Sequence, residues 1–312
     1  MPSTYNKIHR LKAQGWTWPE FLAQIEQVSV HSIDEKTLYS NFRLPHRKPN
    51  KLLEETISLL HETFFPSPFP KEVEGLITLY NHLNSAKNLR TQEEDIELLE
   101  RFVLAEIQKP ESTTESEAKP EPKNEHSLRY ARLCWLAANM AFDRIAYCRD
   151  NGLKTKLVEN QQSALKWFQQ AKLAIEHCKQ SMGINVEPFV IYKLTQNKLA
   201  CYLNGLPSAN RLDNHVLKGY IEDSGYIAET KTMLELEPFQ WGIARNGLRF
   251  SSLLNNAQDC EYFFRALVTA NKHFLDCDYQ LPGGLSLNQS DDFQWALTVI
   301  KDRDLINKLD NI

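Results

Sequence analysis

Residues 108 to 127, QKPESTTESEAKPEPKNEHS, hold three prolines, five glutamates and one alanine as the sole apolar residue. Such a stretch cannot bury enough surface to offset the entropy of ordering its backbone, which marks it as a disordered linker. It divides the 312 residues into an N-terminal region, 1–107, and a C-terminal region, 128–312. Both lengths suit a domain with its own core.

On either side of this segment the apolar residues recur with the helical period. In the N-terminal region, KIHRLKAQ stops at Gly15, and TWPEFLAQI restarts with Thr17 as N-cap and Pro19 in the first turn. Ser32 and Glu35 have capping-box spacing ahead of KTLYSNF. NKLLEETISLLHETFF places Leu52, Leu53, Ile57, Leu60 and Phe64 along one helix, and Pro66, Pro68 and Pro70 end it. Two more helices follow, KEVEGLITLYNHLNSA and EEDIELLERFVLAEIQ. Beyond the linker the pattern predicts helices at 128–150, 158–182, 187–203, 238–254, 258–275 and 291–309, with a weaker one after His215. The 11 glycines are few for turn-rich β architecture. The expected fold class is all-α.

Charge is segregated. Residues 1–51 carry eight Lys/Arg against four Asp/Glu, residues 52–126 seven against sixteen, and the remainder 21 against 20. A basic module on a chain of net charge −4 confines a polyanion to one docking surface. The basic residues peak in TLYSNFRLPHRKPNK, residues 37–51, where a solvated turn between helices would carry the same charges.

LKAQGWTWPEFLAQI resembles the opening of the phage repressor and Cro type of helix-turn-helix, with Leu11, Gly15, Thr17, Phe21 and Leu22 at the family's core and turn positions. The helix bearing Thr37 and Leu38 resembles the recognition helix, RLPHRKP the basic turn after it, and Leu52 to Leu60 the closing helix. The resemblance implies double-stranded DNA as partner, bound by a homodimer. Recognition helices present side chains to base edges while neighbouring cations fix register on phosphates. The candidates on this helix are Lys36, Tyr39, Ser40, Asn41 and Arg43. Asn41 suits adenine and Arg43 guanine as bidentate readers, and His46, Arg47, Lys48 and Lys51 suit phosphate.

In the C-terminal region Ala164, Phe168 and Ala171 have the small-aromatic-small spacing of a tetratricopeptide second helix, which lets helices approach closely. EPFVIYKLTQNKLACYLN at 187 and EPFQWGIARNGLRFSSLLN at 237 open alike at an offset of 50 residues, suggesting a stacked helical array. The region resembles the sensing modules of helix-turn-helix regulators, which implies dimerisation or a peptide or protein ligand. A helical domain used only for dimerisation fits the same residues.

Catalytic signatures are absent from the sequence: no metal-spaced histidine pair, P-loop, GxSxG elbow or dinucleotide fingerprint. The six cysteines lack paired spacing, and the carboxylates of EEDIELLE suit a solvated helix face. LPGG at 281–284 suits a turn. The expected protein is a cytoplasmic regulator without enzymatic activity, metal or cofactor. The alternative is a helical interaction scaffold that does not bind DNA.

Overall fold

A computed structural model describes residues 4–29, 33–43, 50–85, 89–109, 127–184, 186–207, 210–211, 213–275 and 291–300. Among them the fold is all-α, without strands. In chain order the helices are α1 (Thr4–Lys12), α2 (Trp18–Val28), α3 (Glu35–Arg43), α4 (Lys51–Phe64), α5 (Lys71–Ser85), α6 (Leu89–Gln108) and α7 (Leu128–Asp150). They continue with α8 (Lys154–Met182), α9 (Pro188–Gly205), α10 (His215–Asp223), α11 (Tyr226–Leu236), α12 (Trp241–Leu253), α13 (Ala257–Leu275) and α14 (Asp291–Val299). The linker predicted at 108–127 lies almost wholly outside the described residues, as do LPGG and Cys277. No described helix is long and apolar enough to cross a membrane.

Contacts divide the chain into two compact units, Pro68–Arg211 and Pro2–Ser67 with Leu212–Ile312. The division therefore falls at the proline-rich break after α4 as well as near residue 211, and differs from the one expected at the linker. The physical reason is that α5 and α6 find their core partner in α7. Val73, Ile77, Tyr80, Leu99, Val103 and Ile107 join one apolar cluster with Leu133, Leu136 and Met140. Polar contacts run along the same seams: Arg132 to Glu74 at 2.6 Å, Arg144 to Glu100 at 2.7 Å, and the Tyr80 hydroxyl donating to Asp143 at 2.6 Å.

In this first unit α7 and α8 form a long hairpin that turns at Gly152, whose φ of +68° suits glycine. Ala164, Phe168 and Ala171 are fully buried, and Phe168 meets Phe142 edge to face at 6.3 Å. The small residues remove the bulk that would hold the two helices apart, and the aromatic ring between them fills the seam. α9 packs on α8 and starts with Pro188 at its first position, where no amide donor is needed.

The second unit combines an N-terminal and a C-terminal segment of the chain. α1, α2, α3 and α4 share a core of Ile8, Leu11, Phe21, Ile25, Leu38, Leu53, Ile57 and Leu60, with Phe239 and Trp241 packed against it. α12 and α13 approach so closely at Gly247 that an added Cβ would stand 2.5 Å from the Phe263 ring, which requires glycine there. α11 has no counterpart among the sequence-predicted helices, because its apolar residues are interrupted by Thr230, which is buried with its hydroxyl donating to the Tyr226 carbonyl at 2.7 Å. The likeness between 187 and 237 does not extend to the start of the helices. Pro188 opens α9, whereas Pro238 precedes α12 and Glu237 instead closes α11.

Candidate nucleic-acid interface

α2 begins as its sequence requires. Thr17 is the N-cap, its hydroxyl and amide both donate to Glu20 Oε2, at 2.9 and 2.7 Å, and the reciprocal capping box closes the first turn. These bonds, the backbone one foremost, hold the Glu20 carboxyl below its ordinary pKa. The helix runs to Val28, so Glu26, Gln27 and Val28 are helical.

The cap of α3 is Asp34. Its carboxylate accepts the Thr37 amide at 2.8 Å and the Thr37 hydroxyl at 2.6 Å, and these two bonds, the hydroxyl's first, lower its pKa. Ser32, the cap expected from sequence, lies outside the described residues. The acidic pair at the head of α3 thus serves the helix terminus, where a carboxylate favours the positive end of the dipole.

Of the candidate side chains on α3, Lys36 is exposed, and Tyr39 and Ser40 are half-buried. Tyr39 meets Trp18 edge to face at 5.6 Å, and Ser40 Oγ donates to the Thr37 carbonyl at 3.0 Å. Asn41 is 5% exposed and its amide donates to the same carbonyl at 2.8 Å. Its position beside Leu38 turns it toward the core, so the adenine-reading role expected of Asn41 does not fit this geometry. Lys36, Ser40 and Arg43 stand at i, i+4 and i+7, the spacing of one helix face. The side chain of Arg43, and His46, Arg47 and Lys48 altogether, lie outside the described residues. Lys51 opens α4 behind the Asn50 cap, is solvent-exposed, and stands 3.7 Å from Glu55.

The structure also sorts the basic residues that sequence counting had pooled. Lys7, Arg10 and Lys12 on α1 are turned inward. Lys7 Nζ donates to Ser58 Oγ at 2.8 Å, and burial lowers its pKa despite Glu62 and Glu54. Arg10 donates to Glu237 at 3.0 Å and lies over the Phe65 ring at 3.7 Å. Lys12 is wholly buried, donating to the Trp16 carbonyl with its ammonium over the Trp18 ring. His9 accepts from Trp241 Nε1 at 3.2 Å, and burial, assisted by His273, pushes its pKa down to about 4. Charge counting misses this arrangement because nothing in the sequence of α1 marks which cations face inward. The five remaining Lys/Arg of the first 51 residues all fall between Lys36 and Lys51.

Cys134, Cys148, Cys178, Cys201 and Cys260 are buried, and burial pushes Cys134 and Cys201 up to about 12 and Cys260 to about 11. The thiols of Cys134, Cys201 and Cys260 therefore stay protonated and poorly nucleophilic at neutral pH. Among the described residues no group of three or more His, Cys, Asp or Glu is placed to hold a metal. On α6, Glu94, Asp95 and Glu97 are exposed, while Glu100 is engaged by Arg144.

No protein-family model, curated protein or solved structure matches the chain.

Proposed function

We propose that the protein is a sequence-specific DNA-binding regulator whose α3 and following basic turn contact duplex DNA. The observation that carries this reading is the sorting of charge: α1 consumes its cations internally, and every other Lys/Arg of the N-terminal cluster falls between Lys36 and Lys51. Lys36, Arg47, Lys48, Lys51 and His46 supply phosphate contacts, and Arg43 is the base reader. The partner in this reading is double-stranded DNA, engaged by two copies of the chain at half-sites about 34 Å apart. The first unit then serves dimerisation or the sensing of a ligand.

The test is binding of the full chain to a duplex pool as a function of salt. Affinity should fall steeply with salt, and the Lys36→Ala, Arg43→Ala, Arg47→Ala, Lys48→Ala variant should reduce the log–log slope by about 3 to 4. Binding that ignores salt, or a variant with the parent's slope, would overturn the reading.

One observation favours an adaptor instead. Leu98 and Phe102, one turn apart on α6, are 61% and 47% exposed. An adaptor of this kind would show no salt-dependent DNA binding in the same titration.

A further inference from the structure

α6 carries apolar residues on two faces. Leu99, Val103 and Ile107 are buried in the core it shares with α5 and α7. Leu98 and Phe102, one turn apart, stand on the outer face with Ala105 beyond them, and all three are exposed. A surface helix of a single chain needs one apolar stripe, so the second is left to solvent until something outside the chain covers it.

The charges beside that stripe bear on what covers it. Glu97 and Arg101 flank it, also one turn apart and exposed. Arg101 Nε donates to the Glu97 carbonyl at 3.4 Å, a contact with backbone and not with the carboxylate. Arg144 is held by Glu100 at 2.7 Å, and Glu97 acts on it only from beyond ion-pair distance. Among the described residues, then, neither Glu97 nor Arg101 has an ion-pair partner.

Residues four apart project from adjacent turns of one helix face. The pairs Leu98–Phe102 and Glu97–Arg101 have almost the same midpoint along α6. A two-fold axis through that midpoint, perpendicular to the helix, lays a second α6 antiparallel on the first. It sets Leu98 opposite Phe102 of the other copy and Glu97 opposite its Arg101, each contact occurring twice. A parallel pair would set Glu97 on Glu97 and Arg101 on Arg101, which like-charge repulsion opposes.

We infer that the outer face of α6 is a docking surface for a second copy of this chain, paired antiparallel about the point between Leu98 and Phe102. The surface suits the two copies of the DNA-binding reading, but α6 alone carries the inference and it does not depend on that reading.

The experiment is sedimentation equilibrium of the full chain without DNA, from about 1 to about 100 μM, because a single helix pair lies at the small end of interface sizes. The mean mass should rise from one chain toward two. Leu98→Ala with Phe102→Ala should weaken the dimer about tenfold or more, and Glu97→Arg or Arg101→Glu alone about fivefold or more. Mixing the two single charge variants should restore pairing, as should both charge changes in one chain. Leu59→Ala, an exposed leucine on α4, should dimerise as the parent does. A chain that stays monomeric to about 100 μM, the outcome if a different protein covers this face, overturns the inference. So do α6 variants that self-associate like the parent, or a charge-variant mixture that remains monomeric. Duplex binding is judged separately by its salt slope, so a monomeric chain leaves the DNA-binding reading standing.

Discussion

The two units close their cores by opposite routes. In the first, the helices that pack are neighbours in sequence: α7 folds onto α8, α8 onto α9, and the cross-helix contact of Lys172 with Thr195 spans 23 residues. In the second, α1 completes its polar contacts with residues at the far end of the chain. Arg10 and Glu237 are 227 positions apart, His9 and Trp241 232, and Lys12 and His273 261. Local closure costs little loop entropy and is reached early, whereas distant closure must wait for the rest of the unit. The difference teaches that the N-terminal helices bearing the candidate interface are not a self-sufficient module. The largely buried Arg10 guanidinium on α1 is tolerable only once the distant Glu237 has supplied its carboxylate.

The largest expected effect follows from the best-buried of those contacts. Glu237→Ala removes the carboxylate facing Arg10, whose side chain is only 16% exposed. Breaking one half of a buried ion pair leaves a desolvated charge, and the loss should be about 3 kcal/mol. Hydrogen exchange would locate it. Amides of α1 and α4 should lose protection, and those of α7 and α8 should keep theirs. Equal losses in both sets would mean that the units do not unfold separately and would break the comparison.

What the sequence made legible tracks the same contrast. Helices of the first unit could be read to within a few residues, because Ala164, Phe168 and Ala171 act on the adjacent helix and their spacing carries the packing information. Thr17 and Pro19 likewise announced the start of α2 through bonds only three residues long. The inward turn of Lys7 and Arg10 was illegible, since each depends on a distant partner that no local pattern specifies, and that of Lys12 rests on the Trp16 carbonyl, a backbone group that no side-chain pattern marks. Asn41 was misplaced for a related reason: its polarity suggested an outward face, but a buried amide is satisfied by the Thr37 carbonyl one turn back. The candidate interface was thus legible in its charge and helix order but not in which side chains it leaves available. α11 escaped notice because a buried threonine bonding its own helix looks like a polar interruption.

Acid should separate the units next. Burial, then Arg10 and Lys7, lower His61 to about 4, and burial with His273 lowers His9 to about 4, from an ordinary 6.5. The unfolded chain therefore takes up these protons first as pH falls. The stabilisation is complete above pH 6.5, is lost between 6.5 and about 4, and changes no further below that. For His9 alone the loss is on the order of 3 kcal/mol. Asp143 in the first unit works in the other direction. Burial raises its pKa despite the Tyr80 hydroxyl, so its destabilising effect is greatest at neutral pH and fades on acidification. Exchange measured across pH 7 to 4, corrected for intrinsic rates, should show α1 and α4 losing protection ahead of α7 and α8. His9→Gln should flatten the dependence in the second unit only, and a parent whose units lose protection in parallel would contradict this assignment.

The smallest effect gives the sharpest comparison, because among the described residues each unit has a helix capped by a side-chain hydroxyl. Thr17 caps α2 and Ser127 caps α7, where its Oγ accepts the Tyr130 amide at 3.0 Å. Replacing either by alanine frees one amide at a helix start and should cost about 1 kcal/mol. Thr17→Ala should lower protection in α1 through α4, and Ser127→Ala in α7 and the helices packed on it. Since α2 also positions Trp18 against Tyr39, Thr17→Ala should weaken DNA binding while Ser127→Ala leaves it unchanged. A Thr17→Ala variant that loses about 1 kcal/mol of stability yet binds duplex DNA as the parent does would detach α3 from the α2 frame and remove the link between cap and interface.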